Sequence, residues 1–134
     1  MSEYVLDASA LLTVLNEEPG KERVEAILGQ AVVSTVNVSE AVGKLMDVGM
    51  TDAEAKASIE LLHIRPVDFD MEMALAAGFL KSYTKRVGLS LGDRCCLALG
   101  MLRKNTVVTA DRSWSKLKLG IKIEVVRGPG NTLL

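Results

Sequence analysis

The chain has 134 residues, 49% hydrophobic and 25% charged, with 16 Lys and Arg against 17 Asp and Glu. That composition suits one globular domain spanning residues 1–134 and excludes a disordered or fibrous chain. The net charge of -1 excludes a uniformly basic surface for polyanions but leaves room for a local basic patch.

The N-terminus leads almost directly into Tyr4-Val5-Leu6, a short apolar strand. No basic stretch, apolar run and cleavage site occur in series, so a secretory leader is not expected. The strand ends on Asp7. Ala8 to Leu15 then reads as helical until Glu17-Glu18-Pro19-Gly20 breaks it. Lys21 to Gly29 places Val24, Ile27 and Leu28 at helical spacing, and Ala31 to Ser34 is a strand. A helix over Asn37 to Val48 gathers Val38, Ala41, Val42, Leu45 and Met46 on one broad face and stops at Gly49. Thr51 opens another helix, Asp52 to Leu62, with Glu54 at capping-box spacing. His63 to Val67 is a short strand, at a sheet edge because Pro66 cannot donate to a ladder. Asp70 to Lys85 reads as one long apolar helix. Its most apolar run, Met73 to Leu80, is too short to span a bilayer. Leu91 to Arg103 is helical, with Cys95, Leu97, Ala98, Leu99 and Leu102 as core candidates. Cys95 and Cys96 are adjacent and therefore poor disulfide partners, which suits reduced core thiols in a cytoplasmic protein. Thr106 to Thr109 is a buried strand, Arg112 to Leu117 a short helix, and Ile121 to Val126 the last strand. The tail from Arg127 to Asn131 reads as loop. Strands alternate with helices throughout, which predicts an α/β fold, a three-layer α/β/α sandwich around a parallel sheet.

Four acids stand at or near predicted helix starts: Asp7, Glu40, Asp93 and Asp111. Each has a plain structural explanation. Asp7 and Asp111 are good N-caps. Asn37 with Glu40, and Ser90 with Asp93, have capping-box spacing or a close variant. Any acid there also interacts favourably with the helix dipole. Chain order adds something further. Asp7, Glu40 and Asp111 each follow a strand, so all three belong to the carboxyl edge of one parallel sheet, where open α/β folds hold their ligands. Asp93 opens the helix before the last but one strand, and order alone does not set its edge. Should it bend towards the others, four carboxylates share a cleft and repel one another unless a cation neutralises them. Hard oxygen donors select Mg²⁺ or Mn²⁺. A metal held this way polarises a phosphoryl oxygen and activates water, and the natural reaction is phosphodiester hydrolysis without a covalent enzyme intermediate.

Val5-Leu6-Asp7-Ala8-Ser9, Asn37-Val38-Ser39-Glu40, Leu91-Gly92-Asp93 and Thr109-Ala110-Asp111-Arg112-Ser113-Trp114 together resemble the motifs of the PIN domain. Within that family the chain is most similar to the VapC-type toxin ribonucleases of prokaryotic toxin–antitoxin pairs, over about residues 4 to 126. The resemblance implies a five-stranded parallel sheet, Mg²⁺-dependent RNA cleavage, and a homodimer inhibited by a cognate antitoxin. Asp7 and Asp93 would then be the principal metal ligands. Glu40 and Asp111 would support them or hold a second ion, with Ser9, Asn37 and Thr109 behind them. All four acids match the pattern.

An acidic cleft repels RNA phosphates, so cations must compensate. Lys44, Arg94 and Arg112 lie one residue or one helical turn from the acids and could contact phosphate. The plainer reading is ordinary ion pairing, such as Glu40 with Lys44 at i,i+4. Lys85-Arg86 and Lys116 with Lys118 form further basic clusters that could be solvated surface. His63, the sole histidine, rules out a zinc site built on several histidines. The apolar surplus of the 71–80 region and around Leu45-Met46 suggests either a larger core or a face for a second copy or an antitoxin helix. An aspartate-nucleophile phosphatase would need a second acid at position 9, where Ser9 stands. A receiver-type module would need paired acids after the first strand. A PIN-like nuclease of RNA processing, or a PIN-like scaffold that binds RNA or protein without cutting, remains as an alternative.

Overall fold

A computed structural model describes residues 3–127. Five parallel strands form one sheet: β1 (Tyr4–Leu6), β2 (Ala31–Ser34), β3 (Arg65–Val67), β4 (Thr106–Thr109) and β5 (Ile123–Val125), in the order β3-β2-β1-β4-β5. β1 is the centre strand, with Val5 beside Val32 on one side and Val107 on the other. Alternate residues of a strand point to opposite faces, and the two cores follow that rule. Val5, Val32 and Val107 pack with Leu97, Leu99 and Trp114 on one face. Leu6, Val33 and Val108 pack with Leu11, Val24 and Ala41 on the other. Both faces are covered, which gives the expected three-layer sandwich.

The helices are α1 (Ala8–Leu15), α2 (Lys21–Ile27), α3 (Thr35–Asp47), α4 (Asp52–Leu61), α5 (Met71–Phe79) and α6 (Leu91–Arg103). Short 3-10 turns cover Leu28–Gln30, Leu80–Tyr83 and Arg112–Lys116. The capping boxes at Thr51/Glu54 and Ser90/Asp93 both form. Cys95 and Cys96 are unpaired and buried. Among the described residues, no helix is long and apolar enough to cross a membrane.

Four boundaries differ from expectation, each for a local reason. α3 begins at Thr35 because the Ser34 hydroxyl accepts the Val36 N–H at 3.2 Å, so the cap belongs to Ser34 and not to Asn37. Glu40 consequently sits in the second turn and is no capping-box partner. The 70–85 region is not one helix. It ends as α helix at Phe79 and tightens to a 3-10 turn, and the Thr84 hydroxyl takes the Leu80 carbonyl at 2.9 Å. His63 adopts a left-handed conformation with φ of 51°, so β3 starts only at Arg65. The last strand is confined to Ile123–Val125. Residues 128–131 of the expected tail loop lie outside the described residues.

This topology positions a site. From β1 the chain builds outward through β2 to β3, then crosses back to β4 on the other side. The carboxyl ends of β1 and β4 therefore diverge into helices on opposite faces, and the crevice between them is a topological switch point. Asp7 stands at that point, and its N–H donates to the Val108 carbonyl at 3.2 Å.

Candidate active site

The crevice is a cleft of about 180 Å³ lined by Asp7, Ala8, Ser9, Leu12, Glu40, Lys44, Asp93 and Asp111. All four acids therefore reach one cavity, including Asp93, whose edge chain order left open. They form a gradient of exposure: Asp7 is buried, Glu40 and Asp93 are half-buried, and Asp111 is exposed.

Asp7 is the N-cap of α1, since one carboxylate oxygen accepts the Ala10 N–H at 2.8 Å. The Ser9 hydroxyl donates to the same carboxylate at 2.8 Å, and the Thr109 hydroxyl donates to the second oxygen at 2.6 Å. These hydroxyls accept in turn from the end of β4. Ser9 takes the Ala110 N–H at 2.9 Å and Thr109 takes the Asp111 N–H at 3.0 Å. Each hydroxyl has one hydrogen, which goes to Asp7, and its lone pairs serve the backbone. Three donors thus converge on a carboxylate that burial has stripped of water. Burial prevails and lifts the Asp7 pKa from 3.8 to about 6, against the lowering effect of Thr109, Ala10 and Ser9, with a small added push from the Asp93 charge. Thr109→Val should remove the strongest of these donors. The Asp7 half-protonation point is then expected above about 6, read by NMR titration of its carboxyl carbon. An unchanged midpoint would show that the hydroxyl does not hold the charge.

The other acids keep their caps and still face the cleft. Asp93 uses one oxygen on the Ser90 N–H at 3.0 Å, and the other oxygen makes no hydrogen bond among the described residues. Asp111 caps the 3-10 turn through the Ser113 N–H and hydroxyl, both on one oxygen, at 2.9 and 2.7 Å. Glu40 is placed differently. The buried Asn37 amide donates to Glu40 Oε1 at 2.8 Å and to the Gly92 carbonyl at 3.1 Å, tying α3 to the first turn of α6. The Glu40 carboxylate rests where a Gly92 side chain would be. Gly92 lies within the Leu91-Gly92-Asp93 motif, and its task emerges only in the fold. Its one signal was a glycine in the first turn of a helix, a costly choice unless space is short.

The three candidate phosphate contacts separate. Lys44 lines the cleft and forms no ion pair with Glu40 among the described residues. Arg112 is exposed beside Asp111. Arg94 points away: it is buried and its guanidinium donates to the Ala77 carbonyl at 2.9 Å. It is a packing residue between α6 and α5, because the residue after Asp93 on a helix faces a different side.

The donor set is four carboxylates, hard oxygens suited to a hard divalent cation. Among the described residues, no three of His, Cys, Asp and Glu converge as ligands. The carboxylates lining the cleft suit a hard divalent cation that keeps several of its positions in water.

Known structures share this architecture. VapBC2 from Rickettsia felis, bound to a promoter DNA fragment, aligns with a TM-score of 0.72 at 13% identity, covering 90% of this chain and 96% of that one. VapBC from Salmonella typhimurium, also bound to DNA, aligns with a TM-score of 0.69 at 18% identity, covering 94% and 99%. FitAcB from Neisseria gonorrhoeae aligns with a TM-score of 0.63 at 22% identity, covering 92% and 97%. At these identities the likeness is one of fold. No curated protein matches the chain by sequence. The family model of the PIN domain matches residues 4–119, a span that holds all four acids of the cleft, and the chain belongs to that family.

Proposed function

We propose that the chain is a Mg²⁺-dependent endoribonuclease of VapC type that hydrolyses RNA phosphodiester bonds, with Mn²⁺ as a possible substitute. In this reading it acts as one domain in the cytoplasm, as a homodimer, and as the toxin partner of an antitoxin. The single observation that carries the reading is the convergence of Asp7, Glu40, Asp93 and Asp111 on one cleft at the switch point. Membership of the PIN domain family and the toxin–antitoxin complexes of like fold support it. The i,i+4 stripe of Met71, Leu75 and Phe79 on α5, all exposed, supports a protein-covered face.

In this reading Asp7 and the free oxygen of Asp93 hold the cation. When bound, the cation supplies Lewis-acid polarisation of a phosphoryl oxygen and neutralises the carboxylates. Ser9 and Thr109 keep Asp7 ionised and aimed. Glu40, steadied by Asn37, orients an attacking water and takes its proton. Asp111 completes the acidic wall at the mouth. Lys44 and Arg112 receive phosphate oxygens.

A second reading is a PIN-like module that binds RNA or protein without cutting. Cleavage of RNA by the purified protein separates the two. Cutting is expected with Mg²⁺ or Mn²⁺, is expected to stop with chelator, and is expected to be lost in a folded Asp93→Asn protein. Chelator-resistant cutting would remove the metal from the reading, and an unimpaired Asp93→Asn protein would remove the site. Expression of the parent is expected to arrest growth, with relief by the same substitution. Full activity without arrest would favour an RNA-processing role over a toxin.

A further inference from the structure

The two basic clusters that looked unrelated in sequence share one groove. Lys85 and Arg86, from the loop after the Leu80–Tyr83 turn, face Lys116 and Lys118 across a cavity of about 390 Å³ that is also lined by Ser82 and Tyr83. No acid lines it. All four cations are exposed, and none forms a salt bridge among the described residues. Four other cations are held by acids: Lys21 by Glu17, Arg23 by Glu124, Lys56 by Glu60, and Arg127 by Glu18. Four like charges lining one groove with no acid among them raise the local positive potential, which attracts a polyanion.

Both chain segments of the groove adjoin, in sequence, segments that carry acids of the cleft. Lys116 closes the 3-10 turn that Asp111 caps. At about 2 Å rise per residue, that turn places Lys116 roughly 10 Å along the axis from Asp111. Arg86 precedes Ser90, the cap of the helix that carries Asp93. Tyr83, 76% exposed, stands at the rim, where its ring is free to stack. A duplex keeps its bases stacked inside, whereas an unpaired strand offers both phosphates and base faces.

We propose that the groove of Lys85, Arg86, Lys116 and Lys118 holds the phosphates of a single-stranded RNA segment leading into the acidic cleft, with one base on Tyr83. This rests on the nuclease reading of the cleft and adds to it the path and form of the substrate. It also answers an electrostatic problem, since a chain with net charge -1 and an acidic cleft needs cations close to where the backbone enters.

The test reads binding apart from cutting, in the Asp7→Asn protein, by fluorescence anisotropy of a labelled single-stranded RNA oligonucleotide across a salt series. Each phosphate contact on a single strand contributes about 0.7 to the slope of log affinity against log salt. Replacing all four cations by Ala is expected to lower the slope by about 2.8 and to weaken binding several hundred-fold near 0.1 M salt. Tyr83→Ala is expected to weaken binding with the slope kept. Lys21→Ala with Lys56→Ala, ion-paired cations of α2 and α4 outside the groove, should leave the slope alone. An unchanged slope in the fourfold variant, or an equal loss in the control, overturns the proposal. So does tighter binding of polyglutamate than of RNA, which would assign the groove to an acidic protein segment. A parent that binds RNA through the groove but never cuts with Mg²⁺ overturns the nuclease reading and leaves the groove standing. A cutting parent whose fourfold variant is unimpaired in KM overturns the groove alone.

Discussion

Asp7→Asn is expected to produce a protein that is more stable than the parent above neutral pH and unable to cut RNA. Asp7 titrates at about 6 in the folded chain against 3.8 in the unfolded chain, because burial disfavours its charge. The folded state therefore holds the extra proton between those values. The stability this group confers is complete below its unfolded pKa and is lost as pH rises through the folded value. At neutral pH, carrying the buried charge costs folding up to about 3 kcal/mol. Asn keeps an acceptor for the Ala10 N–H and for Ser9 and has no charge to bury. For a domain of this size the gain corresponds to a melting temperature roughly 5–10 °C higher. The difference should fade at about pH 4, where the parent is also neutral at this position. Mg²⁺ should raise the parent's melting temperature, since a ligand of the native state stabilises it, and should do so far less for the variant. Loss of a cation worth several kcal/mol of transition-state charge stabilisation means on the order of 10³-fold in rate. Melting curves over a pH series with and without Mg²⁺, set beside cleavage assays, check all of this. A variant no more stable than its parent at about pH 8 would mean that Asp7 bears no burial cost.

The Gly92→Ala protein is expected to fold normally and to lose most of its activity. The new methyl group would occupy the place of the Glu40 carboxylate, meeting both oxygens and the carboxyl carbon. A carboxylate is the free end of a flexible side chain, so it swings away and the helix survives. Ala also favours a helix over Gly by up to about 1 kcal/mol, which offsets the lost Asn37 hydrogen bond. Displacing a positioned group by about 1 Å costs roughly 10²-fold in rate. The loss should appear in kcat, with the melting temperature within a few degrees of the parent. Glu40→Asp placed in the Gly92→Ala chain shortens the acid by one carbon and is expected to recover part of the rate. Full activity in Gly92→Ala alone would show that the position of Glu40 is immaterial.

The sequence alone determined the order of strands and helices, the two capping boxes, and the presence of acids after β1, β2 and β4. These are properties of neighbouring residues: period-two and helical spacing, a cap three residues from its partner, a proline at an edge strand. Local chemistry also suffices for Asp7 as the α1 cap. Failures came where a rival local bond prevailed. Ser34 capped α3 ahead of Asn37, and Thr84 took the Leu80 carbonyl where the 70–85 helix was expected to run on. The tertiary structure decided what depends on residues far apart in the chain. It brought Asp93 to the edge shared by Asp7 and Asp111, set Glu40 against Gly92, and turned Arg94 into the α5–α6 packing. It also joined Lys85-Arg86 to Lys116 and Lys118 in one groove. Asp7 shows the division most plainly. Its place at a strand end is a matter of sequence, but its raised pKa comes from the sheet and helices that exclude water around it, and only the assembled fold supplies that burial.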